Sequence, residues 1–340
     1  MLKMDDIKVS VYCLAYNHEK YIRKALEGFV MQKTNFDYEV LVHDDASTDG
    51  TAEIIREFEL KYPNIIKPIY QKVNQYSQKV DIKEKYFIPH TKGKYVACCE
   101  GDDYWIDENK LQLQYDFMEE HSDVCMCVHK VQCVSEDCDT MLEIIPGRKF
   151  GLDSDCIITP EKMASLLYDE YGYPFHTSSY FMRVEVLKAE LQKILRGRLH
   201  GDATHLRVAM SMGKLFFMNS VMSHRRMWTV GNWNNRMKSL SNKKRVECEM
   251  RAMEGEILFD EFTENKFHEW ILPSIYQRLY LVLRDYEIRD ESKMVRAYRL
   301  KNPFRCTKSI KLAKKIIKYY IWYIYIGFAS LVKGNKQNGS

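Results

Sequence analysis

The sequence predicts an α/β fold built on a parallel sheet, followed by a mostly helical C-terminal extension. Within residues 8–62, an apolar run of strand length is twice followed by a polar loop and then by a helical stretch. Successive β-loop-α units of this kind are typical of parallel sheets. A third apolar run, Tyr95–Cys99, ends in an acidic loop, at the strand edge where open α/β sheets bind their ligands.

The first unit has a strand-like run at residues 8–15, and apolar side chains then recur at helical spacing in residues 21–30. The second unit has a strand at residues 38–43, a polar loop at 44–51 and a helix at 52–62. This order predicts a sheet of the nucleotide-binding type. The chain lacks the glycine patterns of dinucleotide-binding and P-loop proteins, so those two classes are disfavoured.

The Asp44-Asp45 pair at the end of the second strand is only partly explained by local structure. A polar turn in which Thr48 or Asp49 caps the next helix accounts for the rest of the loop. Carboxylates at a strand end can accept hydrogen bonds from a nucleoside, as in other doubly wound folds. We therefore regard this pair as a candidate nucleoside contact.

The third loop places Glu100, Asp102 and Asp103 within four residues. Like charges this close raise one another's pKa unless a cation offsets them. Mg²⁺ and Mn²⁺ prefer oxygen ligands from a few carboxylates together with a substrate phosphate. A metal-diphosphate site is the functional interpretation, and a solvated acidic turn is the structural one. The apolar strand before the loop and the helical spacing after it favour the metal site.

The rest of the chain gives weaker signals for secondary structure. Apolar spacing and turn residues predict a helical stretch from Lys110 to about His121, with Trp105 at the same spacing, a strand at Val124–Val134, a loop or insertion at 136–158, and helices over 243–286 that are broken at Pro273.

Composition indicates a globular protein of one large or two modest domains, since 46% of the 340 residues are hydrophobic. The first ten residues lack a signal-peptide pattern, so we expect a cytoplasmic protein. We therefore expect its ten cysteines to be thiols, because the cytoplasm is a reducing compartment. A zinc site at Cys125, Cys127, Cys133 and Cys138 is disfavoured because no C-x-x-C pair occurs there.

Net charge is unevenly distributed along the chain. The whole sequence carries +4, but residues 292–340 contain twelve Lys or Arg and no acidic residue, which leaves −8 on the rest. A basic segment of this kind suggests an anionic surface as partner. Residues 316–332 are apolar and rich in Tyr and Trp, which settle at membrane interfaces beside lysines. The segment is short for a spanning helix, so a helix lying on the membrane surface is favoured over one that packs on the protein.

Three motifs together resemble the inverting family 2 glycosyltransferases of bacterial surface-glycan synthesis, which have the glycosyltransferase A fold: VSVYCLAYN, YEVLVHDDASTDGT and KGKYVACCEGDDYW. The resemblance covers residues 7–235. It implies that uridine is bound by Ala15, Tyr16, Asn17, Asp44 and Asp45. It maps the D-x-D motif onto Glu100, Gly101 and Asp102, with Glu100 on the ribose and Asp102 on a Mn²⁺ or Mg²⁺ ion that bridges the diphosphate. Because successive side chains point in opposite directions along extended backbone, we expect Asp103 to make a structural ion pair first and a metal contact second.

The same resemblance implies catalytic roles further along the chain. An acceptor hydroxyl must lose a proton as it attacks the anomeric carbon, and Asp202, before a helical stretch, matches the position of the general base. Arg226 matches a closing loop and would offset charge on the leaving diphosphate. Phe175–Arg183 resembles the family's strand beside the acceptor cleft. Its His176 is either a contact for an acceptor sugar or a structural residue, and the structural interpretation is favoured. The chain departs from the family pattern at Glu100, Gly201 and Trp228.

We therefore expect a metal-dependent, inverting glycosyltransferase that uses a nucleoside diphosphate sugar, most simply a UDP-sugar, and a glycan acceptor that is lipid-linked. The expected domains are a catalytic domain at 1–235, a helical appendage at 236–303 and a membrane-associating tail at 304–340 on the inner membrane face. Two alternatives stay open. A non-catalytic nucleotide-sugar-binding or scaffold protein would explain the departures, whereas a nucleic-acid-binding protein would rest on the basic tail alone and is not favoured.

Overall fold

The structure is a computed structural model that describes residues 7–168, 174–199, 201–227, 229, 240–286, 293–301, 314 and 317–326. The chain divides into two compact units. The first comprises residues 1–189 and 205–232, and the second comprises 190–204 and 233–340.

A mixed sheet forms the centre of the first unit. Its strands are β1 (Ile7–Ala15), β2 (Asp37–Asp44), β3 (Ile66–Tyr70), β4 (Tyr95–Cys98), β5 (Tyr104–Trp105), β6 (Val124–Val134), β7 (Met141–Ile145), β8 (Cys156–Ile158), β9 (Phe181–Arg183) and β10 (Lys214–Arg226). The order across the sheet is β3-β2-β1-β4-β9-β6-β10-β5, with β7 beside β6 and β8 beside β10.

The helices of the first unit lie between these strands. They are α1 (Ile22–Val30), α2 (Thr51–Lys61), α3 (Ile88–His90), α4 (Lys110–Glu120), α5 (Pro160–Tyr168) and α6 (Val184–Lys188). Those of the second unit are α7 (Glu190–Leu195), α9 (Asn242–Phe262), α10 (His268–Tyr286), α11 (Lys293–Lys301) and a tail helix over residues 317–326, while α8 (Gly201–Met212) begins in the second unit and continues into the first.

Strand direction brings the predicted functional loops to one edge of the sheet. β1 pairs in parallel with β2 and β4, and β6 pairs in parallel with β10. Between these two groups, β9 is antiparallel to both β4 and β6, so the two groups run the same way. The loops that follow Ala15, Asp44 and Cys98 therefore lie at the same carboxyl edge as Val134 and Arg226.

Packing in the core holds α1 close to the strand that follows the acidic loop. The buried α1 residues Ile22, Leu26 and Phe29 face the sheet, and burying each contributes roughly 1.5–3 kcal/mol. A Cβ at Gly28 would lie 2.8 Å from the carbonyl oxygen of Trp105, so only glycine allows this approach of helix and strand. Because β5 follows the acidic loop directly, this packing fixes the end of that loop.

The α/β class and the helical C-terminal region predicted from the sequence are confirmed. Residues 136–158, predicted as a loop or insertion, are not a loop throughout, since they contain β7 and β8. β7 is a mostly exposed edge strand without a buried apolar face, which is why its sequence pattern is weak. Trp105 lies in β5 and not in a helix.

The predicted helix break at Pro273 is also wrong. Pro273 lies inside α10, and the chain instead leaves α9 shortly before Glu264 and Asn265, whose φ angles are 53° and 62°. A helix of L-residues cannot continue through this left-handed backbone.

The second unit is helical, and two contacts define its packing. Asp260 Oδ2 lies 2.6 Å from both His268 Nδ1 and the Tyr298 hydroxyl, which joins α9, α10 and α11. The tail helix packs on α10 through Tyr319, whose ring centroid is 5.4 Å from that of Tyr276. Among the helices that the structure describes, none is long and apolar enough to cross a membrane.

Candidate functional site

The loops after β1 and β2 are joined by hydrogen bonds. The Asp45 amide donates to the Ala15 carbonyl at 2.9 Å. Asn17 has a φ of 55°, its amide donates to Ser47 Oγ, and its side-chain oxygen accepts from the Thr48 amide at 2.8 Å. Ala15 is buried, whereas Tyr16 is 44% exposed. Asn17 is exposed as well, but its side-chain oxygen is held by the Thr48 amide, whereas the exposed Tyr16 ring is available for contact with a ligand.

The two aspartates of the second loop have different surroundings. Both oxygens of Asp45 accept backbone hydrogen bonds, from the Gln75 amide at 2.6 Å and the Tyr76 amide at 3.1 Å. Asp45 therefore anchors the loop after β3, and a nucleoside contact would have to share these oxygens. Asp44 is also buried, and its burial raises the pKa of its carboxyl.

The acidic loop alternates between exposed and buried residues. Glu100 is exposed, Gly101 is buried and Asp102 is partly buried. Gly101 has no room for a side chain, since a Cβ would lie 2.9 Å from His18 Nδ1. Asp102 Oδ2 accepts a hydrogen bond of 3.0 Å from the Thr229 hydroxyl. This contact orients the carboxylate that the resemblance assigns to the metal.

Asp103 is a structural residue of this loop. It is buried, and its Oδ1 accepts from the Arg226 backbone amide at 2.8 Å. Its Oδ2 lies 3.7 Å from His176 Nδ1, but burial holds the pKa of His176 well below its usual value, so this imidazole is neutral. The expected ion pair is therefore wrong, because the group that binds Asp103 is a backbone amide and not a charged side chain. His176 in turn contacts Ser178 Oγ at 3.0 Å, which supports its structural interpretation.

Arg226 joins the end of β10 to the acidic loop. The antiparallel pairing of β5 with β10 places it there, and its guanidinium donates to the Asp102 carbonyl at 2.5 Å. The guanidinium carbon lies 4.6 Å from the ring centroid of Tyr104 and 5.3 Å from that of Tyr21. These ring faces hold the cation beside the loop, and no carboxylate of the described residues forms an ion pair with it.

The residues of the predicted metal site suit a metal ion only if a bound substrate supplies further oxygen ligands. Among the described residues, no three His, Cys, Asp or Glu side chains group as metal ligands. However, Mg²⁺ and Mn²⁺ are commonly bound through one or two carboxylates plus substrate phosphates. Asp102 fits this donor set, since Thr229 holds one oxygen and no contact to a described residue occupies Oδ1. Glu100 is exposed on the same loop.

Asp202, the predicted general base, belongs to the second unit. It lies in the first turn of α8, which begins one residue earlier at Gly201, and its Oδ1 accepts from the Ala203 amide at 2.8 Å. A first-turn carboxylate is favourable beside the helix N-terminus. Its catalytic role stays a prediction. Trp228 lies outside the described residues.

Sequence reasoning missed three residues at this site: His18, Tyr104 and Thr229. Burial lowers the pKa of His18, and its Nδ1 has no hydrogen-bond partner among the described residues. Tyr104 supports Arg226, and its hydroxyl is 2.8 Å from His224 Nδ1. His18 could have been identified from the sequence, because it directly follows the Tyr16-Asn17 pair. No sequence feature marks Thr229, because its contact with Asp102 is long-range.

With this geometry in place, comparison with known proteins decides the family. The model for "Glycosyl transferase family 2" matches residues 10–152, which contain all three motifs. Residues 10–152 belong to glycosyl transferase family 2. This family 2 domain includes every predicted donor and metal residue, and it excludes Asp202 and Arg226.

Two curated relatives are similar over this domain only. The chain is 41% identical over 129 residues to protein Mb1547 of Mycobacterium bovis, covering 38% of this chain and 36% of that protein. It is 30% identical over 115 residues to WfgD of Escherichia coli, "UDP-Glc:alpha-D-GlcNAc-diphosphoundecaprenol beta-1,3-glucosyltransferase", covering 34% of this chain and 42% of WfgD. The match thus spans less than half the length of each relative.

A solved structure is similar over most of the chain. TarS residues 1–349 from S. aureus, in complex with UDP-GlcNAc, match with a TM-score of 0.58 at 19% identity, covering 94% of this chain and 81% of that chain. The fold of the first unit is therefore that of the glycosyltransferase A class, with a helical region after the family 2 domain.

Proposed function

We propose that this protein is a glycosyltransferase that moves a sugar from a nucleoside diphosphate sugar, most simply a UDP-sugar, to a glycan acceptor in surface-glycan assembly. The observation that carries the proposal is the position of Asp102. It lies at the carboxyl edge of the sheet, oriented by Thr229 and beside the Arg226 guanidinium. The loops after β1 and β2 end at the same edge, and all three loops belong to the family 2 domain.

In this proposal the nucleoside lies over the first two loops. Tyr16 presents an exposed ring that can pack on the base, and Asp44 is the carboxylate of the second loop whose oxygens are not both taken by backbone amides. Ala15, Asn17 and Asp45 shape the site through their backbone and loop contacts. Glu100 and Gly101 then line the path from the ribose to the diphosphate.

Asp102, with Glu100 beside it, would hold a Mn²⁺ or Mg²⁺ ion carried with the donor. When bound, such an ion neutralises charge on the diphosphate leaving group. Arg226 contributes a second, permanent positive charge on the same side, because its guanidinium has no carboxylate partner in the described contacts. Preorganised charge of this kind stabilises a leaving group without reorganisation during the reaction.

We assign the general base to Asp202 and propose a single displacement with inversion at the anomeric carbon. The carboxylate would take the proton of the acceptor hydroxyl as that oxygen attacks opposite the diphosphate. Thr229 and Asp103 act as positioning residues: Thr229 orients Asp102, and Asp103 holds the backbone of Arg226.

A thermal-shift screen of nucleotide sugars, with and without Mn²⁺, tests this function. A ligand that binds only the folded state raises the melting temperature, so we expect UDP and at least one UDP-sugar to do so more strongly with Mn²⁺. Turnover is then followed as release of UDP from that donor in the presence of glycan acceptors. Binding without turnover under any acceptor would favour a non-catalytic protein of this fold, and no binding would refute the proposal.

We also propose that the tail helix places the enzyme on the inner membrane surface, where a lipid-linked acceptor would be met. One face of this helix packs on α10 through Tyr319. The opposite face exposes Ile317, Ile321 and Ile324 to between 56% and 61%. Lys314 and Lys315 precede this helix in the sequence, whereas the Lys318 ammonium lies 4.5 Å from the ring centroid of Tyr280 on α10. An apolar face flanked by lysines suits the boundary of an anionic bilayer. The diphosphoundecaprenol acceptor in the name of WfgD supports such an acceptor.

Sedimentation with anionic liposomes tests the membrane proposal. The double variant Ile321→Gln with Ile324→Gln removes exposed apolar surface without touching Tyr319, so it should stay folded and lose liposome binding. Leu60→Gln is the matched control, because Leu60 is 83% exposed on α2. Equal sedimentation of the wild type and the double variant would refute the role of this face.

A further inference from the structure

A cavity of about 850 Å³ lies in the first unit beside the predicted donor site. Lys20 lies just before α1, Lys24 and Glu27 lie on α1, and the loop between β6 and β7 supplies Glu136 and Asp137. Its volume is within the range of about 300–1,000 Å³ that is usual for small-molecule sites. None of these five residues was singled out by the sequence, and none has a role in the proposed donor site.

The lining mixes cations and carboxylates. Lys20 makes no ion pair with a described residue, and the Lys24 ammonium lies 4.2 Å from the ring centroid of Tyr104. Across the cavity, Glu136 accepts a hydrogen bond from the Tyr21 hydroxyl and Asp137 accepts one from the Ser135 hydroxyl. Donors and acceptors of hydrogen bonds therefore face one space.

A lining that contains both cations and carboxylates favours a ligand rich in hydroxyl groups. Each hydroxyl both donates and accepts, so it can pair with an ammonium and with a carboxylate in the same site. A multiply charged anion would meet Glu27, Glu136 and Asp137, and like charges brought together in this way are costly. A saccharide satisfies both kinds of group, because its hydroxyls can pair with the ammonium groups and with the carboxylates of the lining.

Arg226 separates the cavity from the acidic loop. Its guanidinium donates to the Asp102 carbonyl and also lines the cavity. The lining includes neither Asp102 nor Asp202, so a ligand here is not positioned by the metal-site carboxylate or by the proposed base. A sugar in the cavity would therefore lie next to the reaction centre without reacting.

We propose that this cavity binds a saccharide unit of the acceptor other than the unit that receives the transferred sugar. The inference rests on the proposed glycosyltransferase function and deepens it, since binding a remote part of a substrate is a way to select it. Acceptor choice would then depend on Lys24, Glu27 and Glu136.

Saturation-transfer NMR on the full chain tests the cavity, with cellobiose and N,N′-diacetylchitobiose as neutral probes and ribitol 5-phosphate as an anionic one. We expect at least one neutral probe to bind the wild type. Glu27→Trp, which fills the cavity, and Glu136→Gln, which removes a charged acceptor, should each weaken this binding by about tenfold or more. Leu60→Trp on α2 is the matched control and should bind as the wild type does. Thermal unfolding of each variant verifies that it is folded.

The inference is overturned if no neutral probe binds, if the two cavity variants bind it as tightly as the wild type, or if only ribitol 5-phosphate binds. UDP binding by the wild type is measured in parallel and separates the two proposals. UDP binding without saccharide binding refutes the cavity alone, whereas saccharide binding that Glu27→Trp abolishes, without any UDP binding, refutes the donor site alone.

Discussion

Replacing Lys110 by methionine should remove a large part of the pH dependence of stability above neutral pH. Lys110 begins α4 and is 0% exposed. Its ammonium donates to Gln114 Oε1 at 2.6 Å and lies 4.1 Å from the ring centroid of Trp105, without a carboxylate partner among these contacts. Burial lowers the pKa of Lys110 to about 8, because a charge is poorly solvated there.

The sign follows from proton binding in the two states. In the unfolded chain Lys110 holds its proton up to its ordinary pKa of 10.5, whereas in the folded protein it releases the proton near 8. Between these values the unfolded state binds more protons, so the free energy of unfolding rises with pH. Between about pH 7 and pH 9.5 this single group should contribute an increase of about 2 kcal/mol.

The assay is urea unfolding of the wild type and of Lys110→Met at both pH values. Buried tyrosines and thiols that do not interact with Lys110 also titrate in this range with the opposite sign, but they are present in both proteins and cancel in the difference. Cys98, Cys99 and Cys127 do not cancel fully, because the Lys110 charge opposes the rise that burial causes in the pKa of each thiol. The wild type should gain about 2 kcal/mol relative to the variant on going to the higher pH. If the free energy of unfolding changes equally with pH in the two proteins, the claim that burial lowers the pKa of Lys110 is refuted.

Three further predictions concern the site loops. Asp45→Ala removes the acceptor of two part-buried amides and should lower the free energy of unfolding by about 1–3 kcal/mol in urea titrations; no loss would mean that Asp45 does not anchor the loop. Gly101→Ala places a Cβ 2.9 Å from His18 Nδ1 and should cost about 1–3 kcal/mol and weaken UDP binding, whereas Gly147→Ala, with no atom nearer than 3.9 Å, should change neither. Asp202→Asn should keep donor affinity but lower turnover about 10²-fold or more, and near-normal turnover would assign the base elsewhere.

The elements that the sequence predicts well are those whose signal is local. Strands β1 and β2 and helices α1 and α2 follow from apolar spacing over eight to eleven residues, and their ends are marked by polar loops. The weak edge strand β7 and the short strand β8 are formed by pairing with β6 and β10. Their residues carry no periodicity strong enough to reveal that pairing.

Long-range contacts explain what the sequence leaves out of the site. The residue types and order of the loops identify Asp45 and Asp102 as candidates, but the partners of these carboxylates lie 30 and 127 positions away. Asp45 is therefore bound to the loop after β3, and Thr229 orients Asp102, without any local pattern that would indicate either contact. The burial of Lys110 is equally invisible locally, because a lysine at a helix start is ordinarily exposed.

Titration of UDP into the protein with and without Mn²⁺, for the wild type and for Asp102→Asn, tests the central claim most directly. The amide keeps the shape of the carboxylate and can still accept from Thr229, so the fold should be unaffected while the metal-binding charge is lost. Asp153→Asn, at an exposed carboxylate, is the matched control. We predict that Mn²⁺ strengthens UDP binding in the wild type and the control but has no effect in Asp102→Asn. Equal Mn²⁺-dependent affinity in all three proteins would contradict the assignment of this loop as the metal-diphosphate site.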